Sequence, residues 1–122
     1  MDEWIYTSLE KINWLIDRQK YPLAEQMALE LIASNPTFCY AYSALSRAYL
    51  NQEKFDQAKT ILQQLVKVCP DFAHTYYLFA FLYFRLNKLQ DALTAIEKAL
   101  QLEPETTSYQ YQKALIFYNL SR

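Results

Sequence analysis

The feature that most constrains this chain is a pattern that returns at a constant spacing, marked by Pro36, Pro70 and Pro104. Residues 71–104 (DFAHTYYLFAFLYFRLNKLQDALTAIEKALQLEP) show the pattern best. Apolar residues spaced i, i+4, i+7 occur before and after a break at 86–88, which predicts two helices that face each other. These positions are Tyr76, Ala80 and Tyr83 in the first helix and Ala92, Ile96 and Ala99 in the second.

Shifting this unit by the proline spacing finds further copies. Small residues recur where two helix backbones must approach closely, and large residues recur between them. Three prolines in one register, with small and aromatic residues in phase, predict a stack of helical hairpins. The matching residues are Tyr42, Ser46, Tyr49, Ala58, Leu62 and Leu65 in the second copy; Ser8, Ile12, Leu15, Ala24, Ala28 and Leu31 in the first; and Gln110, Ala114 and Phe117 in the last.

This pattern resembles the tetratricopeptide repeat, a helical hairpin of the same period with small, aromatic and proline positions at fixed offsets. The third copy also has Phe79 and the second Leu45 at the large position between the first two sites, where the first copy has Lys11. The resemblance implies an all-α fold, an α-solenoid of seven helices. We expect one domain over residues 1–122, with repeats at about 3–36, 37–70 and 71–104 and a single helix at about 105–120. Because that helix has no partner helix, we also expect the chain to be a piece of a longer protein.

Residues near the predicted breaks suggest where the helices begin and end. The first helix is expected over residues 3–19, with Asp2 as its N-cap. Thr37 and Asp71 directly follow prolines, and we expect them to cap the third and fifth helices. Since the chain has no glycine, Asn87 is the expected left-handed residue between the fifth and sixth helices.

Composition excludes several classes of function. There are 12 basic and 13 acidic residues, so the chain has no charge excess that would bind nucleic acid or an anionic membrane. The absence of glycine excludes the phosphate-binding loops that need it. The longest apolar run has nine residues, Tyr76 to Phe84, whereas a membrane crossing needs roughly 20. No contact of this segment with membrane or nucleic acid is therefore expected.

The cysteines and the single histidine give little indication of a metal site or of a catalytic site. Cys39 and Cys69 do not form the dense framework of a small secreted domain, and the acidic N-terminus does not resemble a signal peptide, so free thiols and a cytoplasmic location are expected. His74 lacks metal ligands at helical spacing. A Cys39–His74 nucleophile is a weaker alternative, because no third group orients the pair. We therefore predict no metal, no cofactor and no enzymatic activity.

Aromatic side chains form a second stripe on the fifth helix, apart from the packing stripe. In proteins built from tetratricopeptide repeats, the first helix of each hairpin lines a concave groove that holds a peptide or helix. The resemblance therefore implies a binding groove at the same register positions here. The alternative is that these side chains only cover one another. The predicted groove residues are Tyr6, Leu9, Asn13, Ile16, Tyr40, Ser43, Arg47, Leu50, His74, Tyr77, Phe81, Phe84, Arg85, Tyr111, Leu115 and Tyr118.

The resemblance also limits the partner. Family members that bind acidic chaperone tails use a clamp of lysine, asparagine and arginine, of which only Asn13 is present here. Leu9, Arg47, Tyr77 and Phe81 stand at the other clamp positions. We therefore predict a scaffold that binds an apolar or aromatic segment of a partner protein. The alternative is a self-association module or a segment of a longer superhelix, with a homodimer through the terminal helix.

Overall fold

The computed structural model describes residues 3–122, so the predicted cap at Asp2 lies outside the described residues. This part of the chain forms seven helices and no strand, which confirms the predicted all-α class. The predicted break points separate the helices. Their bounds are α1 Glu3–Asp17, α2 Tyr21–Ser34, α3 Cys39–Asn51, α4 Phe55–Val68, α5 Ala73–Arg85, α6 Leu89–Leu102 and α7 Thr107–Leu120.

The chain divides into two compact units, of which the first ends at Pro70 and the second runs from Asp71 to Arg122. This boundary coincides with the boundary predicted between the second and third repeats. The first unit contains α1 to α4, and the second contains α5 to α7. Each unit has its own buried residues.

The core of the first unit follows the predicted register. Ala24, Ala28 and Ala58 are fully buried, and so is Ser46 at the corresponding small site of α3. The Ser46 hydroxyl donates a hydrogen bond to the Tyr42 carbonyl at 2.9 Å, so this buried polar group has a partner. The other buried residues of the register are Ile12, Leu15, Leu31, Tyr42, Tyr49, Leu62 and Leu65.

The core of the second unit lies among α5, α6 and α7. Ala80, Ala92 and Ala99 are completely buried, so the small residues stand where the hairpin helices meet. From α7, Tyr109 and Ile116 complete this core. The alanines allow close helix packing, and the larger side chains around them fill the remaining volume.

Each hairpin turns at a residue with positive φ. Gln19, Glu53 and Asn87 all have a φ of 60° and recur at the same spacing as the three prolines. The next amide donates across the turn in each case, as the Lys88 N–H does to the Tyr83 carbonyl at 2.8 Å. This six-to-one bond is the Schellman arrangement that ends a helix. The expectation for Asn87 is confirmed, whereas Gln19 and Glu53 were not predicted.

The predicted caps at Thr37 and Asp71 are wrong. The capping positions belong to Phe38 and Phe72, and neither helix start has a side-chain capping hydrogen bond. The chain makes a turn at residues 36–37 and again at 70–71, so α3 and α5 each begin one residue later than expected. The Tyr42 hydroxyl donates to the Pro36 carbonyl at 2.7 Å, which ties this turn to the first helix of its hairpin.

The expectation of free thiols is also wrong, because Cys39 and Cys69 form a disulfide bond. Cys39 is the first residue of α3 and Cys69 is the C-cap of α4. The two helices are antiparallel, so the start of one lies beside the end of the other, and the two Cα atoms are 6.3 Å apart. The two cysteines are far apart in the sequence, and the antiparallel packing of α3 and α4 brings them together.

Candidate interaction surfaces

The candidate surface of the first unit lies on α1 and α3. We call it the first face and define it by Tyr6, Leu9, Asn13, Tyr40 and Arg47. Tyr6 and Tyr40 are 60% and 53% exposed, although both are large and mostly apolar. Leu9 and Asn13 are half-buried. The predicted groove residues Ile16, Ser43 and Leu50 are buried, so they belong to the interior and the first face is narrower than predicted.

An aromatic cluster occupies one end of the first face. The Phe38 ring makes edge contacts with Tyr6 and with Tyr40, each at 5.8 Å between ring centroids. Aromatic pairs favour this geometry because the positive ring edge meets the negative ring face. The sequence register did not indicate Phe38, since it lies before α3 begins. The two exposed tyrosines are therefore held in place by a half-buried ring.

A polar network occupies the other end of the first face. The Arg47 guanidinium donates to the Asn13 side-chain oxygen at 2.8 Å and to the Asp17 carboxylate at 3.1 Å. Asp17 is 62% exposed at its side chain, and Arg47 is 35% exposed. The guanidinium thus has two acceptors within the unit, one of them charged. Arg47 therefore already has partners within the unit.

The candidate surface of the second unit lies on α5 and α7. We call it the second face: His74, Tyr77, Phe81, Phe84, Arg85, Tyr111 and Tyr118. Tyr111 and Tyr118 are 65% and 62% exposed and stand two turns apart on α7. Phe81 and Phe84 are half-buried. The Arg85 guanidinium lies 5.9 Å from the centre of the Phe81 ring, at the outer range of a cation–π contact.

Tyr77 links the second face to the core. Its ring stacks on His74 at 5.4 Å and on Tyr109 at 5.2 Å between centroids. Burial raises the pKa of Tyr109 to about 12, with smaller contributions from Glu103 and from Tyr77. Tyr77 is half-buried, so part of its surface supports the core and part faces outward.

Part of the packing stripe of α5 lines an open cavity. Its volume is about 270 Å³, and Tyr76, Phe79 and Tyr83 line it together with Asp91, Thr94 and Ala95 of α6. The sequence register assigned these aromatic residues to packing alone, but each is half-buried. The Phe79 and Tyr83 rings stack at 6.0 Å between centroids, which helps to hold the cavity wall.

The end of the chain exposes a further apolar surface. Gln110, Ala114 and Phe117 occupy the register that is buried in the earlier first helices, yet all three are exposed. Phe117 is 48% exposed. Lys113 pairs with Glu97 of α6 at 3.6 Å on another side of the helix. The face of α7 that corresponds to a hairpin interface is therefore open to solvent.

Residues 3–122 contain no group of three or more His, Cys, Asp or Glu side chains placed to hold a metal ion. Within the same range, no helix has both the length and the apolar character needed to cross a membrane. Cys39 is bonded to Cys69 and carries no free thiol.

Antiparallel hairpins in one repeating register, with exposed first-helix residues, define a helical repeat protein of the interaction class. A family model described as "Anaphase-promoting complex, cyclosome, subunit 3" matches residues 17–99, and a tetratricopeptide repeat model matches residues 77–122. The chain belongs to this family of tetratricopeptide repeat proteins. The resemblance inferred from the proline and alanine register is confirmed.

Solved structures show the same fold. The first tetratricopeptide repeat domain of Spaghetti (RPAP3), bound to the HSP90 peptide SRMEEVD, has a TM-score of 0.88 at 22% identity, and each chain is covered completely. The first such domain of human RPAP3 has the same score and identity, covering 96% of this chain and 92% of that one. The Sgt2 domain from Aspergillus fumigatus has a TM-score of 0.87 at 14% identity, covering 98% and 81%. No curated protein matches the chain.

Proposed function

We propose that this chain is a non-catalytic scaffold that binds a peptide or helix of a partner protein through aromatic residues exposed on the first helices of its hairpins. The observation that carries the proposal is the exposure of four tyrosines on first helices, Tyr6, Tyr40, Tyr111 and Tyr118, each more than half exposed. Tyrosine supplies a large contact area at low entropic cost and is enriched in binding hot spots. The family model is named for a subunit of a multiprotein complex, which agrees with a scaffold.

The chemistry of the faces favours an apolar or aromatic partner segment over an acidic tail. The similar RPAP3 domain holds the peptide SRMEEVD. Here, the asparagine that resembles the family's clamp, Asn13, already accepts a hydrogen bond from Arg47. Asp17 adds a negative charge beside Arg47, and a peptide carboxylate would have to compete with it. Tyr77 and Phe81 offer rings where the clamp offers charged or amide donors.

The test is a selection followed by a direct comparison. Short random peptides displayed on phage are selected on the immobilised protein, and the best peptide and SRMEEVD are titrated separately by fluorescence anisotropy. We expect aromatic or aliphatic sequences to be selected, and we expect SRMEEVD to bind at least tenfold more weakly than the best of them. Tighter binding of SRMEEVD would contradict the proposed partner chemistry. A selection that yields no binder would contradict peptide binding itself.

The proposal includes the absence of catalysis and a cytoplasmic location. Cys39 is the one nucleophile that the sequence singled out, and its sulfur is in a disulfide. That bond also removes one argument for the cytoplasm, namely the expectation of free thiols. The location therefore stays a prediction, which microscopy of the tagged full-length protein would test.

Self-association is the second candidate function, and the open face of α7 favours it. Phe117 exposes a large apolar surface on this face, and no helix among the described residues follows α7 to cover it. Monomers rarely leave extended apolar patches uncovered. Sedimentation at increasing concentration tests this: a dimer that the Phe117→Glu change disrupts would support it. A monomer at every concentration would rule out this alternative and leave the scaffold proposal in place.

A further inference from the structure

We propose that the Cys39–Cys69 disulfide is a redox-sensitive brace that a dithiol reductant opens, and that its state controls how firmly the Phe38–Tyr40 end of the first face is held. The bond joins the first residue of α3 to the C-cap of α4. Both cysteines are half-buried and therefore accessible in part to a small reductant or to a reductase. The effect on binding rests on the proposed function, whereas the brace itself does not.

The fold does not need this bond to form the hairpin, which makes it removable. Shifting Cys39 and Cys69 by one repeat gives Ala73 and Glu103 in the α5–α6 hairpin, which cannot form a disulfide. The backbone at the C-cap is nevertheless the same: φ and ψ are −136° and 77° at Cys69 and −138° and 81° at Glu103. The amide of each residue donates a hydrogen bond to the carbonyl four residues earlier, at 2.8 Å for Cys69 and 2.9 Å for Glu103. The disulfide therefore adds to a geometry that the repeat already forms.

The first turn of α3 is where this addition matters. Phe38 is its N-cap and provides no side-chain capping hydrogen bond. Helix starts without such a cap leave backbone donors unsatisfied and fray more readily. Cys39 lies between Phe38 and Tyr40, whose rings are in contact at 5.8 Å. The disulfide fixes the backbone between these rings, so opening it frees the part of α3 that presents Tyr40.

The exchange chemistry is balanced by the reductant. A thiolate of the dithiol attacks one sulfur of the pair, the bond between the cysteines breaks, and the other cysteine leaves as a thiolate. Cys39 is the better leaving group because the helix start stabilises its negative charge. The second thiolate of the reductant then attacks the reductant's own sulfur in the mixed disulfide, closes the reductant's disulfide and releases the remaining cysteine as a thiolate. Overall, two electrons and two protons pass to the protein, and the dithiol becomes a disulfide.

The test begins with thermal melts, monitored by circular dichroism, of air-oxidised protein and of protein in excess dithiothreitol. The bond closes a loop with a sequence separation of 30, so we expect reduction to lower the Tm by about 10 °C. The control is Cys39→Ser combined with Cys69→Ser, which should melt like reduced wild type and should not respond to dithiothreitol. Alkylation before reduction should modify neither cysteine in the oxidised wild type.

Hydrogen exchange localises the effect and keeps the test decisive if the double variant does not fold. On reduction of wild type, amides 41–43 at the start of α3 should exchange faster, while amides 75–77 at the matching start of α5 should not change. Two alkylated thiols in air-oxidised protein, an equal Tm in both states, or unchanged exchange at 41–43 would each overturn the brace.

A binding arm separates the brace from the proposed function. The peptide selected by phage display is titrated against oxidised and reduced wild type. We expect reduction to weaken its binding several-fold. If reduction changes the Tm and the exchange but leaves this affinity unchanged, the control of the first face is overturned while the brace stands. If no peptide binds either state, the proposed function fails and the melts still decide the brace.

Discussion

Helices α5 and α7 occupy the same place in the repeat, but among the described residues α6 follows α5 to complete a hairpin and no helix follows α7. Ala80 of α5 is fully buried, whereas Ala114, its counterpart one repeat later, is exposed. Tyr83 is half-buried, and its counterpart Phe117 is 48% exposed. The difference shows that the partner helix, and not the residue type, decides whether this stripe becomes core.

Enlarging both alanines tests this difference between α5 and α7 and should have the largest effect. Ala80→Leu should destabilise the protein by about 1–3 kcal/mol, because a larger side chain must push α5 and α6 apart. Ala114→Leu should change the free energy of unfolding by less than about 0.5 kcal/mol, as exposed substitutions usually do. Urea titration of both variants measures this.

The same experiment includes Ala92→Leu, since Ala92 faces α5 from α6 and is also fully buried. Ala92→Leu should lower the free energy of unfolding about as much as Ala80→Leu does. If both buried variants had the wild-type midpoint, the register itself would be contradicted. If Ala114→Leu were as damaging as Ala80→Leu, the face of α7 would be covered in solution, which would support self-association.

Stability measured at alkaline pH distinguishes the buried Tyr109 from the exposed Tyr111 on α7. Tyr109 is 4% exposed and its pKa is raised to about 12, mainly by burial, whereas Tyr111 is 65% exposed. In the unfolded chain the Tyr109 pKa returns to about 10. The folded state therefore retains a proton that the unfolded state loses, so its contribution is complete below pH 10 and is lost as the pH rises to about 12.

The expected outcome is a fall in Tm over that pH range that depends on Tyr109. Tyr109→Phe should reduce the slope of Tm against pH, because phenylalanine has no proton to lose. Tyr111→Phe, at an exposed position of the same helix, provides the matched control. Equal slopes for wild type and both variants would show that burial of Tyr109 does not govern the alkaline response.

The smallest expected effect concerns how the two helices end. Asn87, which follows α5, has a φ of 60°, but Ser121, its counterpart after α7, has a φ of −84°. Only the residue that leads into a second helix adopts the left-handed conformation. Asn87→Gly should stabilise the protein by about 0.5–1 kcal/mol because glycine adopts this conformation without a Cβ clash.

Ser121→Gly provides the matched control and should have no measurable effect, since its φ suits any residue. Chemical unfolding with several replicates can resolve differences of this size. A destabilised Asn87→Gly variant would indicate that the asparagine side chain contributes more than the relief of backbone strain.

The repeat register was sufficient to predict most of the fold. Prolines and alanines at fixed spacing locate the hairpins, because only small side chains suit close helix contacts. The left-handed turns at Gln19 and Glu53 escaped prediction, since neither residue favours that conformation and the closure of the hairpin imposes it. The register predicted only part of the first face, because burial of Leu50 and the ring contacts of Phe38 depend on tertiary packing.

The disulfide is a second feature that the repeat register did not predict. Cys39 and Cys69 have a sequence separation of 30, and nothing in their local context indicates a bond. Their proximity follows from the antiparallel path of α3 and α4, which was predicted, but the pairing was not inferred from it. Tyr77 likewise lies on the predicted stripe, yet its stacking on buried Tyr109 makes it part of the core as well.

In the proposed function, exposed tyrosines of first helices bind the partner. The direct measurement is the affinity of the selected peptide for a Tyr6→Ser/Tyr40→Ser variant and for a Leu23→Ser/Leu29→Ser variant, which changes two exposed apolar residues of α2 instead. We expect at least a tenfold loss of affinity for the tyrosine variant and none for the leucine variant, with wild-type Tm in both. Equal affinities for wild type and the tyrosine variant would contradict a role for the first face in binding.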